Sequence, residues 1–157
     1  MTDYTRSHGP AAIGGRLRRL SESIDEDAAR LYAELGMELQ QRWVGTLEQL
    51  ATRGPQSVTA LAEALGIRHS SVSQTRRSLE EAGLIESDPH ENDRRSRVLR
   101  LSASGKKLVR RLEPIWKVMN QTSAELDAEA GQVIEALERL DQALRRQSLY
   151  ERVKAAL

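Results

Sequence analysis

Residues 84–112 read LIESDPHENDRRSRVLRLSASGKKLVRRL, and the fold is decided here. Leu84 and Ile85 open a strand, Asp88-Pro89 begins a charged tip, Ser96 to Leu101 returns as a second strand, and Ser102 opens a helix. Proline sets φ in the tip, and Asp and Asn can bond local backbone groups there. Arg94, Arg95, Arg97, Arg100, Lys106, Lys107, Arg110 and Arg111 occur with no acid between Arg94 and Arg111. A cationic ribbon on a hairpin is what a phosphate backbone attracts. The plain alternative, a solvated surface cluster, loses weight because the cluster coincides with a structural motif.

That motif lies immediately upstream, where residues 59–84 carry the punctuation of a helix-turn-helix. Thr59 is a candidate N-cap for a helix over 60–65, in which Leu61, Ala62 and Leu65 form the buried edge. Gly66 supplies the turn because it takes positive φ at little cost, and Ile67 is expected to point inward. The next helix is predicted to start at Ser70 or Ser71 and to turn Val72, Thr75 and Leu79 to the core, with Gly83 as its stop. Its other side offers Ser73, Gln74, Arg76 and Arg77. Ser and Gln suit base edges, and Arg suits guanine or phosphate. An ordinary amphipathic surface helix would look similar; the hairpin that follows favours recognition.

Composition bounds the rest. The chain has 157 residues, 24 Lys/Arg against 23 Asp/Glu, no cysteine and no phenylalanine. Absence of cysteine excludes disulfides, thiolate metal sites and thiol redox sensing within the chain. The near-neutral total hides an asymmetry, because residues 68–111 hold eleven Lys/Arg and six acids, giving +5 there and −4 elsewhere. One basic face between acidic flanks suits a polyanion partner. No apolar run approaches the ~18 residues of a membrane span, and no signal-peptide core opens the chain, so a soluble, cytoplasmic protein without a membrane partner is expected.

Residues 1–12 lack periodicity and read as a mobile tail. Ile13, Leu17, Leu20, Ile24, Ala28, Leu31 and Leu35 form a helical stripe; Leu39, Trp43, Leu47 and Leu50 restart it, ending at Gly54-Pro55. After Ser102, a long stripe runs through Leu108, Leu112, Ile115, Met119 and Leu126, with a bend expected at Pro114 and a break at 127–131. Val133 through Leu157 completes one final helical region. These faces exceed what a small winged module needs, which implies burial against another subunit. The predicted class is mainly α with a small β-hairpin wing. Its predicted organisation is a tail (1–12), N-terminal helices for core and dimerisation (13–54), a winged helix-turn-helix (55–103) and C-terminal linker and dimerisation helices (104–157).

The ordered combination of Leu61-Ala62-Glu63-x-Leu65-Gly66, Ser70-Ser71-Val72-Ser73, Glu81-Ala82-Gly83-Leu84-Ile85, Asp88-Pro89, Asp93-x-Arg95 and Leu99-x-Leu101-Ser102-x-x-Gly105-x-x-Leu108 resembles the multiple antibiotic resistance regulator (MarR) family. The resemblance covers nearly the whole chain beyond the tail. It implies a homodimeric, sequence-specific regulator of transcription, commonly a repressor, that straddles pseudo-palindromic double-stranded DNA and is often released by a small aromatic or phenolic effector. Carried over by position, Ser70, Ser71, Ser73, Gln74 and Arg77 become recognition-helix contacts. Arg95 becomes the wing arginine, oriented by Asp93, with Arg94 and Arg97 beside it. Gln74 stands where the family frequently has arginine, which leaves the base preference open.

Tyr32, Trp43, Trp116 and Met119 lie on helices that in the family flank the effector cavity; ordinary core packing explains the same residues. His8, His69 and His90 are scattered, so no metal site and no cofactor are expected. A winged-helix adaptor that docks on protein without reading DNA is the competing function. An enzyme is not expected, because no nucleophile, phosphate loop or acid–base pair stands in a catalytic context.

Overall fold

The computed structural model describes residues 7–90 and 93–157, and in the hairpin the side chains of 89–96 lie outside that description. The chain forms two compact units, Met1–Val109 and Arg110–Leu157. No helix among the described residues is long and apolar enough to cross a membrane.

Residues 1–6 of the expected tail lie outside the described residues, whereas its end forms a 3-10 turn at Gly9–Ala12 with Ala12 buried, leading into α1 (Ile13–Glu34). The apolar stripe of α1 splits in use. Ala28 and Tyr32 are buried, whereas Ile13, Leu17, Leu20, Ile24 and Leu31 remain exposed. At its end Gly36, with φ 66°, allows Met37 N–H to bond back to the Tyr32 carbonyl at 2.9 Å. α2 (Gln41–Arg53) then buries Trp43, Leu47 and Leu50.

β1 (Gln56–Ser57) and α3 (Val58–Leu65) follow. The cap of α3 is Ser57, whose hydroxyl accepts from Ala60 N–H at 3.1 Å, and not Thr59. Both residues are chemically suited, but only Ser57 holds the extended backbone that a cap requires. Gly66 takes the left-handed conformation expected of it, φ 64°. Ile67 departs from expectation and stays exposed. α4 (His69–Glu81) starts one residue before Ser70, and its N-cap residue Arg68 makes no side-chain capping bond.

β2 (Ile85–His90) and β3 (Asp93–Leu101) form an antiparallel hairpin, and β1 completes a three-stranded sheet in the order β1-β3-β2. The strands reach further than the turn-like composition of 88–93 suggested. Asp88 pairs with Val98 and Pro89 with Arg97, before the register shifts at Pro89/His90. β2 is an edge strand and the register shifts beside Pro89, both settings in which proline's missing N–H is tolerated. Leu47, Leu61, Val72, Leu79 and Leu99 are fully buried and join α2, α3, α4 and β3 into one core. Each contributes about 2 kcal/mol by removal from water.

α5 (Ala103–Glu129) opens on Ser102, whose hydroxyl accepts from Gly105 N–H at 3.0 Å and donates to the Gly83 carbonyl at 2.7 Å. Gly105 is obligatory: a Cβ there would lie 1.9 Å from the Leu84 carbonyl oxygen. The helix continues through the exposed Pro114.

In the second unit, Gly131 and Gln132 with positive φ break the chain, and the Asp127 carboxylate accepts from Ile134 N–H at 2.8 Å. The final region is two helices, α6 (Val133–Arg146) and α7 (Leu149–Ala156). Extended backbone at Gln147 and a reciprocal Ser148/Glu151 capping box separate them. Val133, Ile134, Leu137, Leu144, Leu149 and Val153 are all exposed.

Candidate nucleic-acid interface

The exposed face of α4 is built by helical spacing. Val72, Thr75 and Leu79 are buried, which turns Ser70, Gln74 and Arg77 outward on the opposite side, all exposed. Ser71 and Ser73 flank that face and are half-buried. The Arg77 guanidinium rests on its own helix through a long bond to the Ser73 carbonyl, 3.5 Å, and so remains available to a ligand.

Arg76 is placed differently from its neighbours. Its guanidinium pairs with the Glu80 carboxylate one turn on, and the same carboxylate accepts the Ser87 hydroxyl of β2. Both partners of the ion pair are largely covered, at 20% and 28% side-chain exposure. Arg76 thus faces the hairpin root and not the side that carries Gln74 and Arg77. An i,i+4 acid was visible in the sequence; that this acid also holds Ser87 was not.

On the hairpin, Arg97 is exposed. Asp93, Arg94 and Arg95 lie on β3, but their side chains fall outside the described residues. The reading of an uncompensated ribbon needs correction at Arg100. Glu86 sits opposite Arg100 in the register and accepts from Nε at 3.0 Å and from Nη2 at 2.9 Å, and Asp88 accepts from Nη1. Counting charges along one strand omits the acids that pairing brings across from the other. Lys106, Lys107, Arg110 and Arg111 on α5 are exposed.

The expected effector residues divide between the two units, with Tyr32 and Trp43 in the first. Tyr32 is completely buried, and Trp116 and Met119, both half-buried, belong to the second unit. Trp43 lines a cleft of about 490 Å³, together with Leu39, Gln40, Leu84 and Leu108. Its indole N–H donates to Ser78 Oγ at 3.0 Å, and Arg42 Nη2 donates to the same oxygen at 3.1 Å. Ser78, Glu80 and Arg42 were not singled out from sequence. Among the described residues no three His, Asp or Glu side chains converge as metal ligands.

The model of the MarR family matches residues 43–96, which span α2 to the first half of β3 and include the α4 face and the hairpin. No curated protein matches the chain. Among solved structures, MepR of S. aureus in complex with DNA is similar at 25% identity and TM-score 0.69, over 82% of this chain and 94% of that one. A MarR protein from Peptoclostridium difficile shares the fold at TM-score 0.70 and 17% identity, over 96% of both chains. PcaV of Streptomyces coelicolor, solved with its natural ligand, shares it at TM-score 0.68 and 20% identity, over 91% of this chain and 99% of that one.

Proposed function

We propose that this chain, a MarR-type winged helix over residues 43–96, is a transcription regulator that reads double-stranded DNA as a homodimer. The observation that carries the reading is the division of α4. One face is locked into the core, and the other presents Ser70, Gln74 and Arg77 to solvent, with Ser71 and Ser73 beside them. Arg97, together with Arg94 and Arg95 and their partner Asp93, supplies the wing contact to a flanking minor groove, and Arg76 is assigned a structural part beside Glu80. The likeness to a regulator solved on DNA supports the same reading.

The homodimer is supported by exposed apolar side chains on α1 and on the helices of the second unit, a surface of the kind that a partner subunit covers. In this reading 13–54 and 104–157 supply dimer contacts and 55–103 meets DNA. Two α4 helices then enter major grooves roughly 34–36 Å apart on a pseudo-palindromic operator. The regulator acts in the cytoplasm. A small aromatic or phenolic effector that releases DNA would enter the Trp43 cleft.

The test is selection of bound duplexes from a random pool by the purified protein, followed by a salt titration on the winner. The expected dependence is steep, with a slope of about −0.9 per neutralised phosphate. The competing reading, a winged-helix adaptor for a protein partner, is favoured by one observation: Arg100 is already neutralised by Glu86 and Asp88. Failure to enrich any duplex, or weak binding that is flat in salt, would decide for the adaptor.

A further inference from the structure

Building on the DNA-binding reading, we propose that Ser87 and Glu80 are positioning residues that fasten the hairpin to α4, so that wing and recognition helix meet DNA as one rigid reader. Along β2 the side chains alternate: Ile85 is buried inward, Glu86 and Asp88 turn outward to Arg100, and Ser87 turns inward. Ser87 is the last inward residue of β2 whose side chain is described, and beyond it the strands run on towards the tip. Its hydroxyl donates to Glu80 on the last turn of α4.

Glu80 is suited to this task because Arg76 offsets its charge on the other carboxylate oxygen. The carboxylate can therefore sit near a phosphate-binding face without repelling it, and a hydroxyl-to-carboxylate bond is stronger than a neutral one. On the outer face Arg100 ties the two strands together through Glu86 and Asp88. The hairpin is stiffened across its strands on one side and fastened to the helix on the other. A wing held in place in advance loses less freedom on binding, so its contacts contribute more fully to affinity.

The experiment uses the full chain and the selected duplex. Ser87→Ala removes the fastening without changing charge, and Ser87→Thr keeps a hydroxyl on a strand position that suits it. Arg97→Ala is expected to lower affinity about tenfold in the wild-type background, about twofold in Ser87→Ala, and tenfold again in Ser87→Thr. A purely stabilising role for Ser87 would leave that ratio unmoved. Backbone order parameters of the free protein give a reading that needs no DNA. They should fall at residues 86–88 and 97–99 in Ser87→Ala, recover in Ser87→Thr, and stay constant along α4. An unchanged Arg97 penalty or unchanged hairpin order in Ser87→Ala overturns the fastening. If the wild type binds no duplex, the function proposal fails and the order parameters alone decide for or against it.

Discussion

Trp43 Nε1 on α2 donates to Ser78 Oγ on α4 at 3.0 Å, so the side chain that lines the cleft also holds the helix whose outer face carries Gln74 and Arg77. Arg42 reaches the same oxygen, and its Nε is held in turn by Gln40 at 2.8 Å. Anything that shifts the indole shifts an acceptor on α4.

Ser78→Ala should cost about 1–3 kcal/mol, because it leaves the Trp43 N–H covered and without its acceptor. Urea unfolding of single and double variants measures this. In a Trp43→Phe background the same substitution should be nearly neutral, since the stranded donor is gone. Equal costs in both backgrounds would show that the bond contributes nothing.

Gly105→Ala should be among the most damaging single changes in the chain. The added methyl carbon meets the Leu84 carbonyl oxygen at 1.9 Å, and that oxygen also receives Ser102 N–H at 3.0 Å, so neither side can yield freely. A loss of about 3 kcal/mol or more is expected, at the upper end of overpacking costs. A melting temperature within a degree of wild type would mean that α5 can slide away from the wing root.

Helix existence was legible in the sequence because three-to-four spacing of Leu, Ile and Val is a direct record of a buried or buriable face. The turn at Gly66 and the Ser102 cap were legible for the same local reason. What escaped was partnership. Ser57 and Thr59 are equally good caps in one dimension, and only the backbone angles of Ser57 choose between them. Arg100 looked available because its acids arrive from the facing strand, and although Glu80 stands one turn from Arg76, the Ser87 that shares it arrives from β2. Ser78 meets Trp43 across 35 positions of chain, which no local pattern encodes.

Ser57→Ala should therefore destabilise the protein by about 1 kcal/mol, the usual loss of a side-chain cap. Thr59→Ala, on the exposed side of α3, should stay within about 0.5 kcal/mol of wild type. Chemical denaturation separates the two. A larger loss at Thr59 would return the cap to that residue.

The Glu151 carboxyl is held below its usual range by the Ser148 backbone N–H and then by the Ser148 hydroxyl. A carboxyl depressed in the folded state favours folding fully above its ordinary pKa, and that contribution is lost as pH falls through the depressed value. Backbone chemical shifts of α7 should accordingly report one acid-induced loosening below the normal carboxylate range. Glu151→Ala, which removes the acceptor altogether, should lack the step and show the loosened shifts at neutral pH. An identical step in that variant would assign it to another group.

Three arginines near the interface should separate cleanly when operator affinity is measured against salt. Arg77 is exposed on the outward face of α4, so Arg77→Ala should weaken binding at every salt concentration. If the guanidinium meets phosphate, the salt slope should fall by about 1; if it meets a base edge, the slope should hold while discrimination at one base position relaxes. Arg100→Ala should leave base discrimination unchanged, because its charge is already balanced by Glu86 and Asp88; its removal leaves those acids uncompensated, and the resulting loss of affinity should fade as salt screens the repulsion. Arg76→Ala should follow a third pattern, losing stability together with affinity, because an unpaired and partly covered Glu80 remains behind. Equal salt slopes and equal affinities for Arg77→Ala and wild type would remove α4 as the surface that meets DNA.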